Sequence, residues 1–409
     1  MSQTPLHLFD AFGVELEYAI VRRDSLDVAP ICDKLMEAAA GATTSEYEAG
    51  AMAWSNELAL HVVEFKTNGP AESLVGLARQ FQDQVDHAGR LLGAMGARLM
   101  PTAMHPWMDP HTEMVLWPHE YTEIYRTYDR IFDCRGHGWA NLQSCHINLP
   151  FCGDEEFGRL HAAIRLVLPL LPALAASSPY AEGCRTPFLD TRLHYYRGNQ
   201  ERVPSIAGMV IPEPVYTEAE YRRAVYDRVR ADIMPLDPEG VLKAEFLNSR
   251  GAIARFDRGA IEIRLLDLQE CPAADLAVVA LVVGAVRLLA GETYTPLAEQ
   301  QPVATEQLAA LLDATIRDAE AAMIIDEVVL RQFGMGPKPR RAGEVWQSVA
   351  ERLGDGLADN GTAARALLER GPLARAISAA AGDGGRQRLT AVYTELCDCL
   401  VAGRLFRAG

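Results

Sequence analysis

The chain lacks the short motifs that announce most nucleotide and acyl chemistry. It has no G-x-x-x-x-G-K-[ST] phosphate loop, no G-x-G-x-x-G after a strand-like run and no G-x-S-x-G elbow. The GDGG at 382–385 falls among helical patterns and reads as a turn. Cysteine is sparse. Eight are scattered along the chain, and no second pair is spaced to complete a zinc site around Cys397 and Cys399, which read as small buried helix residues. Basic residues are outnumbered, 39 against 55 acids, for a formal charge of −16, which argues against a nucleic-acid partner. No run of roughly 18 uncharged apolar residues occurs. The nearest stretch, Ala277 to Ala290, reads as a buried helix, so no membrane partner is expected. The opening MSQTPLHLFDAFG has neither the basic start nor the apolar stretch of a signal peptide, and with scattered cysteines this favours reduced thiols and a cytoplasmic location.

What is present is ordinary globular composition, 49% apolar and 23% charged over 409 residues. Residues 7–23, 58–67 and 140–150 read as strands, and 71–98 as a helix on the spacing of Leu74, Leu77, Phe81, Val85 and Leu91. Residues 105–140, rich in Trp, His, Pro and Tyr, read as a long loop, 154–176 and 217–233 as helices. Residues 242–267 read as strands broken by glycine turns, followed by an apolar helix near 273–290. Strands pairing across glycine turns with helices between them fit an α+β antiparallel sheet better than repeated βαβ units. The expected division is a catalytic unit over 1–295 and a helical C-terminal region over 296–409 packed on it.

Carboxylates on strands are the main anomaly. In GVELEY, Glu15 and Glu17 share one face because strand side chains alternate with period two. The same parity puts Glu262 with Arg264, opposite Ile261, Ile263 and Leu265. It puts His146 and Asn148 with Leu142 and Ser144, opposite Cys145 and Ile147, and Glu64 with Val62 and Lys66, Glu57 lying just ahead. Singly, each face reads as the solvated side of a half-covered sheet. On one sheet, Glu15, Glu17, Glu57, Glu64, His146 and Glu262 would crowd charge and raise one another's pKa unless cations intervene. Oxygen-preferring Mg²⁺ suits such a set.

A second constellation is basic. Arg192 and Arg197 flank His194-Tyr195-Tyr196, and Arg250, Arg255, Arg258 and Arg264 punctuate 248–264. Guanidinium forks match phosphates and carboxylates. The alternative is that they neutralise surface acids.

GVELEY (13–18), NELALHVVEFKTN (56–68), CHINLP (145–150), SSPYAEGCRTPFLDTR (177–192) and FDRGAIEIRLLD (256–267), in that order, resemble the glutamate–cysteine ligase family, in the bacterial and plant branch that includes the carboxylate–amine ligases. The resemblance covers roughly residues 10–290. It implies a glutamine-synthetase-like catalytic fold, a curved antiparallel sheet backed by helices and open as a funnel, with ATP and Mg²⁺ inside. It implies small-molecule substrates: a carboxylate, most often the γ-carboxylate of glutamate, activated as an acyl phosphate and joined to cysteine or another amine. Carried over, Glu15, Glu17, Glu57, Glu64, His146 and Glu262 form the Mg²⁺ shell. Arg264, Arg255 and Arg192 stabilise the transferring phosphoryl, while Arg197, Arg250 and Asn248 contact the nucleotide. Many carboxylate–amine ligases have H-x-H where this chain has Ser144 then His146, and the acceptor amine is not named by the sequence. A small-molecule kinase on the same fold and a non-catalytic nucleotide- or amino-acid-binding relative stay open as alternatives, as does assembly into a homo-oligomer.

Overall fold

The computed structural model describes residues 5–408, so the first four residues of the expected 1–295 unit lie outside the described residues. β1 (Gly13–Arg22) lies at the centre of an open, eight-stranded antiparallel sheet. β2 (Glu46–Ala49), β3 (Met52–Asn56) and β4 (Val62–Thr67) form successive hairpins on one side of it, and β5 (Ala97–Met100) pairs with the end of β1. β6 (Ser144–Pro150) flanks β1 on the other side. A small ribbon, β7 (Tyr180–Ala181) with β8 (Cys184–Arg185), stands apart. β9 (Ala252–Arg255) and β10 (Ala260–Asp267) complete the order β2-β3-β4-β1-β6-β10-β9.

Alternation makes β1 two-sided. Val14, Leu16, Tyr18 and Ile20 are wholly buried, each such side chain contributing about 2 kcal/mol. They join Trp54, Phe65, Ile147 and Ile263 in one core with the helices Leu77–Ala94, Gly153–Val167 and Pro272–Ala290. Two helical stretches, Gly153–Ala175 and Pro272–Ala290, are long and apolar enough to cross a membrane. Here 94% and 78% of their most apolar windows are buried inside the fold, so they serve as its core.

The opposite face of β1 carries Glu15 and Glu17, then changes character. Ala19 and Val21 are covered by Leu389, Tyr393 and Leu396 of the helix Arg386–Ala402. Cys397 and Cys399 are buried in that helix, and all eight cysteines are free thiols. A last ribbon, β11 (Met323–Ile324) with β12 (Arg340–Arg341), lies within the helical tail.

Several local expectations are corrected. Residues 105–140 hold the helices Pro110–Glu113, Thr122–Phe132 and His137–Ala140 rather than a plain loop. Ile124, Tyr125, Tyr128, Ile131 and Phe132 give the middle one an apolar face that its Trp- and Pro-rich flanks hide. The strand expected over 58–67 starts at Val62, and Ala244–Leu247 is a helical turn. Helical structure over Glu218–Ile233 contains a π-type stretch at Arg222–Tyr226.

One irregularity sets the site. β10 pairs Ile263 with Ile147 but Leu266 with Cys145, so one extra residue bulges out opposite His146. Alternation counted from Glu262 would put Asp267 on the core face. The bulge reverses that parity and sets Asp267 opposite Ser144, on the same face as Glu17.

Trp346, in the helix Ala342–Leu353, is 1% exposed and its Nε1 donates to the Leu170 carbonyl at 2.8 Å. Trp346→Ala is expected to cost about 3–5 kcal/mol of unfolding free energy, read by urea denaturation. A loss under about 0.5 kcal/mol, the size of a surface substitution, would mean the tail does not share the sheet's cooperative unfolding.

Candidate active site

The register of four strands builds the site. Glu15 faces Lys66 of β4 on one side and His146 of β6 on the other, and Glu17 faces Glu64. Glu262 on β10 faces Asn148 of β6, and Ser55 on β3 faces Glu64. Gly13 closes the row: a Cβ there would lie 2.9 Å from that of Asn148, so only glycine lets the asparagine lie flat beside Glu15. Asn148 Nδ2 donates to Glu15 Oε1 at 3.0 Å.

His146 is the hub. Its Nδ1 lies 2.9 Å from Glu15 Oε2, its Nε2 2.8 Å from Ser144 Oγ and 3.7 Å from Glu17 Oε1. Ser144 donates to Glu17 Oε2 from its backbone N–H at 2.7 Å and from its hydroxyl at 2.9 Å. Burial would lower the His146 pKa, but the hydrogen bond to Glu15 and the charge of Glu17 lift it to about 9. Burial works the other way on Glu15, and the hydrogen bond and charge of His146, aided by Lys66 and Arg264, hold that carboxyl down at about 2. The two therefore form an ion pair in which the imidazolium stands among the carboxylates. It can ligate a metal only after giving up its proton.

The rest of the row shows the crowding. Burial first, then the charge of Glu15, pushes Glu64 to about 7 against the pull of Lys66 and Ser55. Lys66 Nζ lies 3.3 Å from Glu64 Oε1, and Ser55 Oγ donates to the same oxygen at 2.5 Å. Glu57, in the turn after β3, is pushed well above the carboxylate range by burial and then by Glu17 and Glu64. Arg264 Nε lies 3.0 Å from Glu262 Oε1, and Arg255 Nη1 lies 3.8 Å from its other oxygen.

The ligand atoms of Glu15, His146 and Glu262 lie within 4.8 Å of one another, as do those of Glu17, Glu64 and His146. Two overlapping sets of mostly oxygen donors, with the Glu64 carboxyl lifted by its surroundings, fit a hard divalent cation. Pockets open on both sides. An outer one of about 380 Å³ is lined by Gly13, Glu15, Lys66, Asn148 and Arg258. An inner one of about 180 Å³ is lined by Glu17, Glu57, His146, Arg192, Gln200 and Arg264. Within the inner pocket Arg192 Nη2 and Gln200 Oε1, both on nearly buried residues, have no hydrogen-bond partner.

The structure thus gathers Glu15, Glu17, Glu57, Glu64, His146, Glu262, Arg264 and Arg255 on one face and sets Arg192 at the inner pocket. It does not bring the expected nucleotide contacts there. Arg250 is 1% exposed, with two nitrogens on Glu213 and a third on Asn248 Oδ1 and backbone carbonyls. Asn248 Nδ2 donates to the Tyr221 hydroxyl at 2.8 Å. Arg250 thus holds the 204–214 segment, while Asn248 braces Arg250 and Tyr221. Arg197 is paired with Asp313 in a separate cleft. Sequence reasoning put Lys66, Ser144 and Asn148 on these faces but gave them no role, and it passed over Gln200, which nothing in the sequence marks.

A family model described as glutamate–cysteine ligase family 2 matches residues 11–380. An uncharacterized protein of Archaeoglobus fulgidus is 37% identical over 274 residues, 66% of this chain and 72% of that one. A provisionally named glutamate–cysteine ligase 2 of Cupriavidus metallidurans is 32% identical over 45% of this chain, which spans only 46% of that relative's length. Among solved structures, a glutamate–cysteine ligase of Francisella tularensis in complex with AMP matches with a TM-score of 0.58 at 12% identity, covering 96% of this chain and 89% of that one. At that identity the likeness is one of fold.

Asp267 Oδ1 pairs with Arg192 Nε at 2.6 Å, both buried, while its Oδ2 takes the Ser177 N–H and the Ser178 hydroxyl. Asp267→Ala is expected to cost about 3–5 kcal/mol, because it strands a buried guanidinium. The double variant Asp267→Ala with Arg192→Met should recover part of that loss in equilibrium unfolding. No recovery would place the cost in the serine contacts instead.

Proposed function

We propose a reaction for this chain from one premise: it belongs to glutamate–cysteine ligase family 2. The reaction is ATP-dependent ligation of a carboxylate to an amine. The donor is the γ-carboxylate of glutamate, activated as an acyl phosphate. The observation that carries this reading is the row of carboxylates, interleaved with His146 and Arg264, that opens on a pocket at either side.

Glu15, Glu17, Glu64 and Glu262, with His146 and the adjacent Glu57, would hold Mg²⁺, which when bound neutralises phosphate charge and draws down the raised carboxyl pKa values. Lys66 and Arg258 in the outer pocket suit the phosphates of the nucleotide. Arg192 Nη2 can donate and Gln200 Oε1 can accept, and both are buried without a partner on residues that line the inner pocket. A zwitterionic amino-acid head answers both, which supports glutamate as the donor. With the donor so held, its side-chain carboxylate attacks the γ-phosphorus of ATP and ADP leaves. The amine then attacks the acyl carbon and phosphate leaves. Phosphoryl transfer asks mainly for positioning and charge stabilisation, which Arg264 and Arg255 supply beside Glu262.

Phosphate release from ATP and MgCl₂ is expected to require both L-glutamate and an amine. Release without glutamate would overturn the donor assignment, and release that yields a stable phosphorylated product would favour a kinase. Glu15→Gln and Glu262→Gln should each lower turnover by about 100-fold or more while leaving the circular dichroism spectrum unchanged. Wild-type turnover in either would remove that residue from the metal shell. In Arg264→Lys, which keeps charge but loses the planar fork, kcat should fall further than the KM for ATP rises. Equal changes would make Arg264 a binding residue only.

A further inference from the structure

The helical tail carries an apolar patch that nothing in the fold covers. Of the twelve large apolar side chains that stand exposed among the described residues, three fall within six positions: Met323, Ile325 and Val328. Ile325, at 75%, is the most exposed of the twelve. Single exposed apolar residues are ordinary, whereas a group of them marks an interaction surface.

The ribbon β11–β12 explains why they point outward. It pairs Met323 with Arg341 and Ile324 with Arg340, and residues paired across strands share a face. Ile324 is buried, so its face turns inward, and Arg340 opposite it reaches round to Glu344 at 3.3 Å. Met323 and Arg341 take the outer face, and strand parity adds Ile325 to them. The chain then enters the short helix Glu327–Gln332, whose first turn leaves Glu327 and Val328 exposed.

Charges flank the patch in a definite order. Glu327 stands at its helix end and Arg341 on the facing strand, and neither has an ion-pair partner among the described residues. The neighbouring charges are already taken. Arg331 pairs with Glu299, Arg340 with Glu344, and the Asp326 carboxylate caps the helix through the Val328 N–H. A surface with an apolar middle, an unpaired acid on one side and an unpaired base on the other is complementary to itself. Half a turn about an axis near Ile325 lays apolar on apolar and brings each Glu327 to the other copy's Arg341, with like charges held apart.

We propose that the 323–328 patch is the centre of a two-fold dimer interface and that its partner is a second copy of this chain. Met323, Ile325 and Val328 supply the desolvated middle that drives association, and the two Glu327–Arg341 pairs at the rim set its orientation. Because the same patch is used by both copies, assembly closes at two. Pairing with a different surface would instead continue into rings or filaments. The proposal does not depend on the reaction that the acidic site performs.

Sedimentation velocity on the full chain, across about 1–100 µM, is expected to show a reversible monomer–dimer equilibrium and nothing larger. Ile325→Asp should weaken dimerisation by about thirtyfold or more, with an unchanged circular dichroism spectrum because the side chain is largely exposed. Met234→Asp, at an exposed apolar residue far along the chain from the patch, should leave the dimer as it was. At low ionic strength Glu327→Arg and Arg341→Glu should each weaken dimerisation by about tenfold, and the two together should restore it to within about threefold. A monomer throughout, which would give the patch to a different protein, overturns the proposal. So does growth past the dimer, a dimer indifferent to Ile325→Asp, equal weakening by Met234→Asp, or a double charge variant no better than either single one.

Discussion

Carboxyl groups crowded on one face of a sheet cannot all be ionised without positive charge among them, and the site is organised around that constraint. Like charges within a few ångströms raise one another's pKa, and burial strengthens the effect. Here the repulsion is resolved in two ways. His146, Lys66, Arg264 and Arg255 stand between or beside the acids, and Glu57 and Glu64 are pushed toward holding protons. The Glu15–His146 pair gets the largest share of the compensation, which is why the Glu15 carboxyl is held down while that of Glu64, across the same strand pair, is lifted. Such a site is tuned for added positive charge. Any cation that enters relieves repulsion that the fold otherwise carries.

Holding such a row in place takes a rigid backing, and the same strands supply it. Each acid on β1 is followed by a wholly buried apolar residue on the other face, so the sheet cannot slip by one residue without turning Val14, Leu16 and Tyr18 toward solvent. The bulge in β10 adds what alternation alone cannot. It presents Arg264 opposite His146 and turns Asp267 to the site face, where it grips Arg192 and two serine hydroxyl or backbone groups. Arg192 is thereby fixed with its Nε occupied and its Nη2 buried without a partner beside the inner pocket.

This division explains what could be read from the sequence. The acidic face was legible because strand parity is a local rule: GVELEY, AIEIR and the His146 strand each declare their faces without reference to partners. The arginines were legible only in part, because an arginine's role depends on which carboxylate it meets. Arg250 meets Glu213 and is absorbed into the fold, whereas Arg264 meets Glu262 in the cleft. Parity set Arg264 beside Glu262 in advance, whereas no neighbour of Arg250 along the chain points to Glu213. The bulge leaves only one trace, the doubled Leu265-Leu266 in an otherwise alternating strand, and parity counted from Glu262 passes over it. The helix Thr122–Phe132 was missed for a different reason: its apolar face is short and sits between segments whose composition reads as loop.

The tail's contribution follows from β1 itself. Along one face the strand passes from Glu15 and Glu17 to Ala19 and Val21, and the change falls where the helix Arg386–Ala402 packs down through Leu389, Tyr393 and Leu396. A face that stayed polar to its end would leave the carboxylates open to bulk water along the strand. A face that turns apolar needs a cover, and the tail supplies it. Arg386 reinforces the join by pairing with Asp27 and lying over the Trp107 ring at 4.0 Å. The C-terminal helices thus close one end of the acidic row. Burial of Ala19 and Val21 under that helix keeps bulk water from the stretch of strand next to Glu17, where a lower dielectric strengthens the nearest charge interactions.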